Sequence, residues 1–396
     1  MSVVGILIAL GLLIWLAYRG WSILLLAPLC ALIPALLAGQ PLLASWTQTF
    51  MSNAAGFVAQ FFPIFLLGAL FGKLMEASGS VEAIAKYLTE RLGTKRAMLA
   101  IVLAGAFVTY GGVSLFVAFF VLAPMGHALF KAANIPHRLM PAAIALGTST
   151  FTMSAMPGTP AIQNAIPMPF FGTNPFAAPG LGLTASAIML GFGLWWLARA
   201  EARARRAGEA YNYADPTDPA AAAADEIVRE RATTAREFDP EEIARGARAT
   251  SLPPFVLAAL PLVTVVSVNL IMSFGILPNI DAAFLKEEGW GATSLAAVGG
   301  VWSVIVALAV AIAVLIATNF SRLPTLRATM DAGANAAVLP IISVASLVGF
   351  GAVVTLLAVC GSKHRESYFD IVMAGIVGPI IALAAVIALG STLGSF

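Results

Sequence analysis

Charge is scarce in this sequence: Asp, Glu, Lys and Arg make up 11% of its 396 residues, against about 25% in soluble domains. Nearly half of those charges lie between Arg199 and Arg248. A net charge of +2 offers no basic face, so nucleic acid is not expected as a partner. Cys30 and Cys360 stand alone in apolar runs, which excludes a disulfide scaffold and a thiolate metal centre. No G-x-S-x-G turn, H-E-x-x-H helix or pair of aspartates within an apolar run occurs. An intramembrane enzyme therefore lacks its chemistry. No Walker A sequence occurs either, so energy must come from an ion gradient or a separate subunit. No cofactor or metal is expected. The first segment lacks a basic n-region and a small-residue cleavage site, and reads as a retained span.

What the chain has in excess is apolar length. Hydrophobic residues are 60% of the total and the mean hydropathy is +0.91. Runs approaching the ~20 residues that cross a ~30 Å hydrocarbon core start near Val3, Trp21, Gly56, Ala97, Pro141, Gly180, Pro254, Thr293, Ala334 and Ile371, about ten in all. The expected class is an all-α polytopic membrane protein. Residues 199–252, rich in Ala, Glu and Arg and holding Pro216, Pro219 and Pro240, read as a solvated linker between membrane units 1–198 and 253–396. Trp195 and Trp196, just before Arg199, read as an interfacial anchor. Basic residues in short loops stay in the cytoplasm. Arg19, the Lys73 to Arg96 region, Lys131 with Arg138, and the linker are then all inside, with the N-terminus outside. Lys363 and Arg365 are the exception.

That topology requires residues 97–132 to enter the membrane and return to the same side, turning at Thr109, Tyr110, Gly111 and Gly112. The expectation is a re-entrant helical hairpin, with a single long helix as the alternative. Aligning Asn53–Ala55 with Asn335–Ala337 carries the tip FVTYGGVSLF onto VIALGSTLGSF, which suggests two inverted-topology repeats with Ser391 and Thr392 at the second tip. A competing register pairs Ile144–Gly147 with Ile387–Gly390. On the first register the second repeat is incomplete, and the expectation is a C-terminally truncated chain or a natural reduced repeat.

Between two apolar runs, Gly147 to Asn164 reads GTSTFTMSAMPGTPAIQN. Hydroxyls, Pro157, Gly158 and Pro160 make it a poor continuous helix, and residues 138–170 are expected to form a broken one. Broken backbone at membrane depth survives only inside protein or beside a watery cavity, which suits a polar solute. No Lys or Arg lies in this run or at the tip, so a carboxylate would be met by dipoles. Half-helix N-termini after Gly111 and Pro157 supply N–H groups. Further candidate binding residues are Thr109, Gly112, Ser114, Thr148, Ser149, Thr150, Thr152, Gly158, Thr159, Gln163 and Asn164. The competing interpretation is that these hydroxyls bond back to the carbonyl four residues earlier. With Glu76, Asp331 and Asp370 at segment ends, His127 is the titratable candidate for proton coupling, against a solvated or packed histidine. Sodium coupling through carbonyls and hydroxyls is equally open, and re-entrant hairpins also line passive channels.

The runs GKLMEASGSVEAIAKYLTERLGTKRAMLAIVLAGAF (72–107) and ANIPHRLMPAAIALGTSTFTMSAMPGTPAIQ (133–163) resemble the gluconate permease family of the ion transporter superfamily. The resemblance covers most of the first half and weakens thereafter. It implies a proton-coupled symporter of small hydroxy acids in the inner membrane, and a homodimer with scaffold and moving transport domains. Two opposed hairpin tips and two broken helices would hold the solute. Gluconate-type members carry an acidic residue at the first tip, where this chain has Gly111 and Gly112. That departure counts against gluconate and favours a shorter monocarboxylate such as a hydroxybutyrate.

Overall fold

In lipid a backbone polar group has no water to bond, so long apolar runs satisfy their peptides internally and fold as helices. The structure is a computed structural model and describes residues 8, 11–16, 19, 21–37, 41–113, 115–211, 249, 251–343 and 373–393. Among them every regular element is helical. The helices are α1 (Ile23–Leu37), α2 (Met51–Ala77), α3 (Ser80–Leu92), α4 (Ala97–Tyr110), α5 (Leu115–Ala133), α6 (Met140–Thr148) and α7 (Phe151–Ser154). They continue with α8 (Ile162–Ala165), α9 (Met168–Phe171), α10 (Pro179–Arg206), α11 (Phe255–Leu270), α12 (Leu295–Asn319), α13 (Leu326–Ala336), α14 (Val338–Ser343) and α15 (Gly378–Leu393).

Among the described residues, four helices are long and apolar enough to cross a membrane: Ala54–Ala77, Pro179–Arg206, Phe255–Asn279 and Leu295–Arg322. The chain is a multi-pass membrane protein. The helix from Ala97 meets α3 at a bend of 101° and ends at Tyr110, and the helix from Met140 stops at Thr148. Most of the run from Val3, linker residues 212–248, and Lys363, Arg365 and Asp370 lie outside the described residues.

α11 shows how sequence period sets burial. Ala258, Leu262, Val265 and Asn269 are buried, while Val256, Leu260, Val263 and Leu270 are exposed, as expected when one stripe of a helix faces protein and the other lipid. α11 packs on α12, α12 and α13 pack on α2, and α15 packs on α10. The main core joins Phe61 and Phe71 of α2, Ile101 of α4, Phe119 and Phe130 of α5, and Leu308 of α12. At the end of α10, Arg199 lies 5.9 Å from the Trp195 ring and Arg203 lies 5.3 Å from the Trp196 ring. That pairing suits a helix leaving the hydrocarbon for the interface.

The tightest seam lies between α4 and α6. A Cβ on Gly147 would collide with the carbonyl oxygen of Val102, and one on Gly105 would stand 2.9 Å from Thr148 Cγ2. Small residues let helix backbones approach closely where lipid supplies no hydrophobic drive. Gly147→Ala should force the seam apart at a cost of about 1–3 kcal/mol. By contrast, Gly191→Ala in α10 meets nothing within 4 Å. Thermal unfolding of the purified protein in detergent should show a clear drop for the first substitution and almost none for the second.

Candidate functional site

Two interruptions meet beside this seam. α4 ends at Tyr110, and Gly112 then turns with φ +94°, a conformation open to glycine but strained for other residues. α6 ends at Thr148, Thr150 has φ −114° and ψ −111°, and α7 lasts one turn. Gly158 follows with φ +82°.

The meeting is made by named atoms. Thr109 Oγ1 donates to Gly105 O at 2.8 Å and stands 3.2 Å from Thr152 Oγ1. A Cβ on Gly112 would stand 2.6 Å from Pro160 Cγ, and one on Gly111 would overlap Leu262 of α11. Three successive carbonyls of the break each accept from a side chain. Tyr110 Oη donates to Pro157 O at 2.8 Å, Asn269 Nδ2 to Gly158 O at 3.1 Å, and Asn164 Nδ2 to Thr159 O at 3.0 Å. On the donor side, Gly158 N–H reaches Pro175 O at 2.7 Å and Ala161 N–H reaches Thr159 Oγ1 at 3.3 Å. Pro157 and Pro160 have no N–H to satisfy. The unwound segment is thus bonded by side chains of α4, α8 and α11 in place of its own helix.

Most candidate hydroxyls point into the protein. Thr148 Oγ1 donates to Ile144 O at 2.8 Å, Thr150 Oγ1 to Leu146 O at 2.6 Å, and Thr152 Oγ1 to Gly147 O at 3.1 Å. With Thr109 and Thr159 they are buried. Their first role is backbone repair. Ser149 is exposed, with its hydroxyl 3.1 Å from that of Thr148. Gln163 is half-buried beside Asn164. Ser114 lies outside the described residues.

Ser391 and Thr392 are exposed near the end of α15 and bond back to Ala388 O. Ala382 of the same helix reaches a small core shared with Ala106 and Phe151. His127 lies about 18 Å along α5 from that helix's start. Its Nδ1 is 3.0 Å from Tyr211 Oη, and its ring stacks on His137 with centroids 4.8 Å apart. The structure brings the first tip and the break together, and holds His127 in a separate cluster near the start of the linker.

Asn269 and Ser273 were not among the sequence candidates. The signal was present, since an amide inside an apolar span is costly enough to be functional by default.

The profile described as GntP family permease matches residues 1–169. A relative described as an uncharacterized transporter, YxjC of Bacillus subtilis, is 38% identical over 364 residues, covering 90% of this chain and 73% of its own length. The chain belongs to the GntP permease family. It is accordingly a transporter and not an enzyme. Shorter similarities link it to the inner membrane permease YgbN of Escherichia coli, 34% identical over 109 residues that cover 27% of this chain and 23% of that protein. The high-affinity gluconate transporter of Escherichia coli is 32% identical over 139 residues, 34% of this chain and 30% of that protein. No solved structure matches the chain.

Two substitutions separate the tip's conformation from its hydrogen bond. Gly112→Ala meets both a positive φ and the Pro160 ring, whereas Tyr110→Phe deletes one donor worth about 0.6–1.7 kcal/mol in a membrane setting. Melting in detergent should fall more for Gly112→Ala than for Tyr110→Phe.

Proposed function

We propose that this chain carries a small hydroxy acid or related carboxylate across the membrane by cation-coupled symport, and that the solute binds where residues 109–112 meet residues 148–160. The observation that carries the proposal is the convergence of a glycine turn, which leads into the N-terminus of α5, and an unwound segment, without any Lys or Arg in either. Such a place can bind an anion through dipoles and hydroxyls, and can release it because no full charge holds it. The relative named as a gluconate transporter supports a hydroxy acid as cargo. Gly111 and Gly112, in place of an acidic tip, favour a short monocarboxylate such as a hydroxybutyrate.

In this proposal α4 and α5 form a re-entrant hairpin, α6 to α8 form a broken helix, and units 1–198 and 253–396 are inverted repeats joined by linker 199–252. The short helical turn Thr94–Arg96 packs against α5, which supports the hairpin. Contacts also support placing the basic loops and the linker together on one side of the membrane, which their Lys and Arg residues would make the cytoplasmic side of an inner membrane. Tyr211 N–H donates to Asn134 Oδ1 at 3.0 Å, Arg138 pairs with Glu209 at 3.0 Å, and Ala249 N–H donates to Ala77 O at 2.9 Å. The coupling cation is a proton or sodium, and the assembly is a homodimer. His127 remains the titratable candidate, acting through the linker contact and not at the tip.

Radiolabelled uptake in proteoliposomes, with proton and sodium gradients imposed separately, tests this directly. Saturable uptake driven by one of the two gradients is expected. Uptake that neither saturates nor responds to either gradient would instead indicate a passive channel.

A further inference from the structure

Asn269 carries an atom that the break does not use. Its Nδ2 is spent on the Gly158 carbonyl, and because that acceptor requires a donor, the amide orientation is fixed. Its Oδ1 then stands at the unwound segment, fully buried, with no hydrogen-bond partner among the described residues. Ser273 follows four residues later in a helical segment that continues α11, so it lies on the same face. Its Oγ is also buried, without a hydrogen-bond partner among the described residues. The next residue, Phe274, packs its ring 5.5 Å from that of Phe176, which in turn covers Gly158. Asn269 therefore borders the break itself, and Ser273 lies one turn further along the same face.

An orphan carboxamide oxygen wants a donor, and an orphan hydroxyl can give one. A deprotonated carboxylate accepts only, so it cannot satisfy Asn269. A sodium ion would need more oxygen ligands than these two. One alcohol group can donate to Asn269 Oδ1 and accept from Ser273 Oγ–H, completing both atoms. We propose that Asn269 and Ser273 are the hydroxyl-recognition subsite of the transporter, selecting hydroxy acids over acids that lack the hydroxyl. The N-terminus of α5, which follows the tip, takes the carboxylate through its N–H dipoles. This deepens, and rests on, the transport proposal above.

The selectivity should be large, because a site built to bond a hydroxyl leaves buried polar atoms unpaired when the hydroxyl is missing; discrimination of about tenfold or more is expected. The test uses the full chain in proteoliposomes and compares uptake of 3-hydroxybutyrate with that of butyrate. The unmodified protein should favour the hydroxy acid by at least about tenfold. Asn269→Leu, close in volume, should bring the ratio to near unity, with uptake of both acids lowered because the Gly158 carbonyl loses its donor. Ser273→Ala should lower the ratio without perturbing the bond to Gly158, and it carries the test if Asn269→Leu does not fold. Equal uptake of both acids by the unmodified protein overturns the subsite. So does a preference that survives both substitutions, which would mean that the two atoms are satisfied by water. Uptake of neither acid removes the transport proposal, and this assignment with it.

Discussion

An unbonded carbonyl in hydrocarbon costs several kcal/mol, and that constraint governs this structure. A helix discharges it by bonding to itself. Residues 155–161 cannot, because Pro157 and Pro160 interrupt the ladder and Gly158 turns the chain with positive φ. The carbonyls of Pro157, Gly158 and Thr159 are instead taken by Tyr110, Asn269 and Asn164. Without those side chains the break would have to refold as helix or leave the membrane.

The three donors come from three different elements, so the break is tied at once to the tip of α4, to its own continuation in α8 and to α11 beyond the linker. The α4–α6 seam brings the first two close by using Gly105 and Gly147 where any side chain would collide. Motion of the tip relative to α11 must stretch or exchange these bonds. Each is modest alone, about 0.6 kcal/mol on average in membranes, which suits a segment that has to hold its shape and still change partners. Under the transport proposal, the groups that repair the backbone also shape the binding place.

Much of this was legible from residues alone. The hydroxyl, proline and glycine content of 147–164 indicated a break, and Thr109 to Gly112 indicated a turn, because both patterns conflict with an uninterrupted span. Which hydroxyls face the solute was not legible. Thr148, Thr150 and Thr152 have the same donor chemistry whether they serve a ligand or a carbonyl four or five residues back, and only packing decides. Asn269 was overlooked because attention to charge passes over a neutral amide, although an amide on the buried stripe of an apolar helix needs a partner as surely as an ion does. Hydropathy sums over a run and does not register the bend between α3 and α4 or the stop at Thr148.

The central claim is that the solute binds where tip and break meet, and Ser149, which lies at the start of the break and is exposed between buried Thr148 and Thr150, is the position at which to probe it. A single cysteine there, Ser149→Cys in a chain whose Cys30 and Cys360 are replaced by alanine, can be alkylated in membrane vesicles while a hydroxy acid is titrated. The account predicts that alkylation slows with rising solute, with half-protection at the concentration that half-saturates uptake. An alkylation rate indifferent to a solute that the same vesicles transport would contradict it.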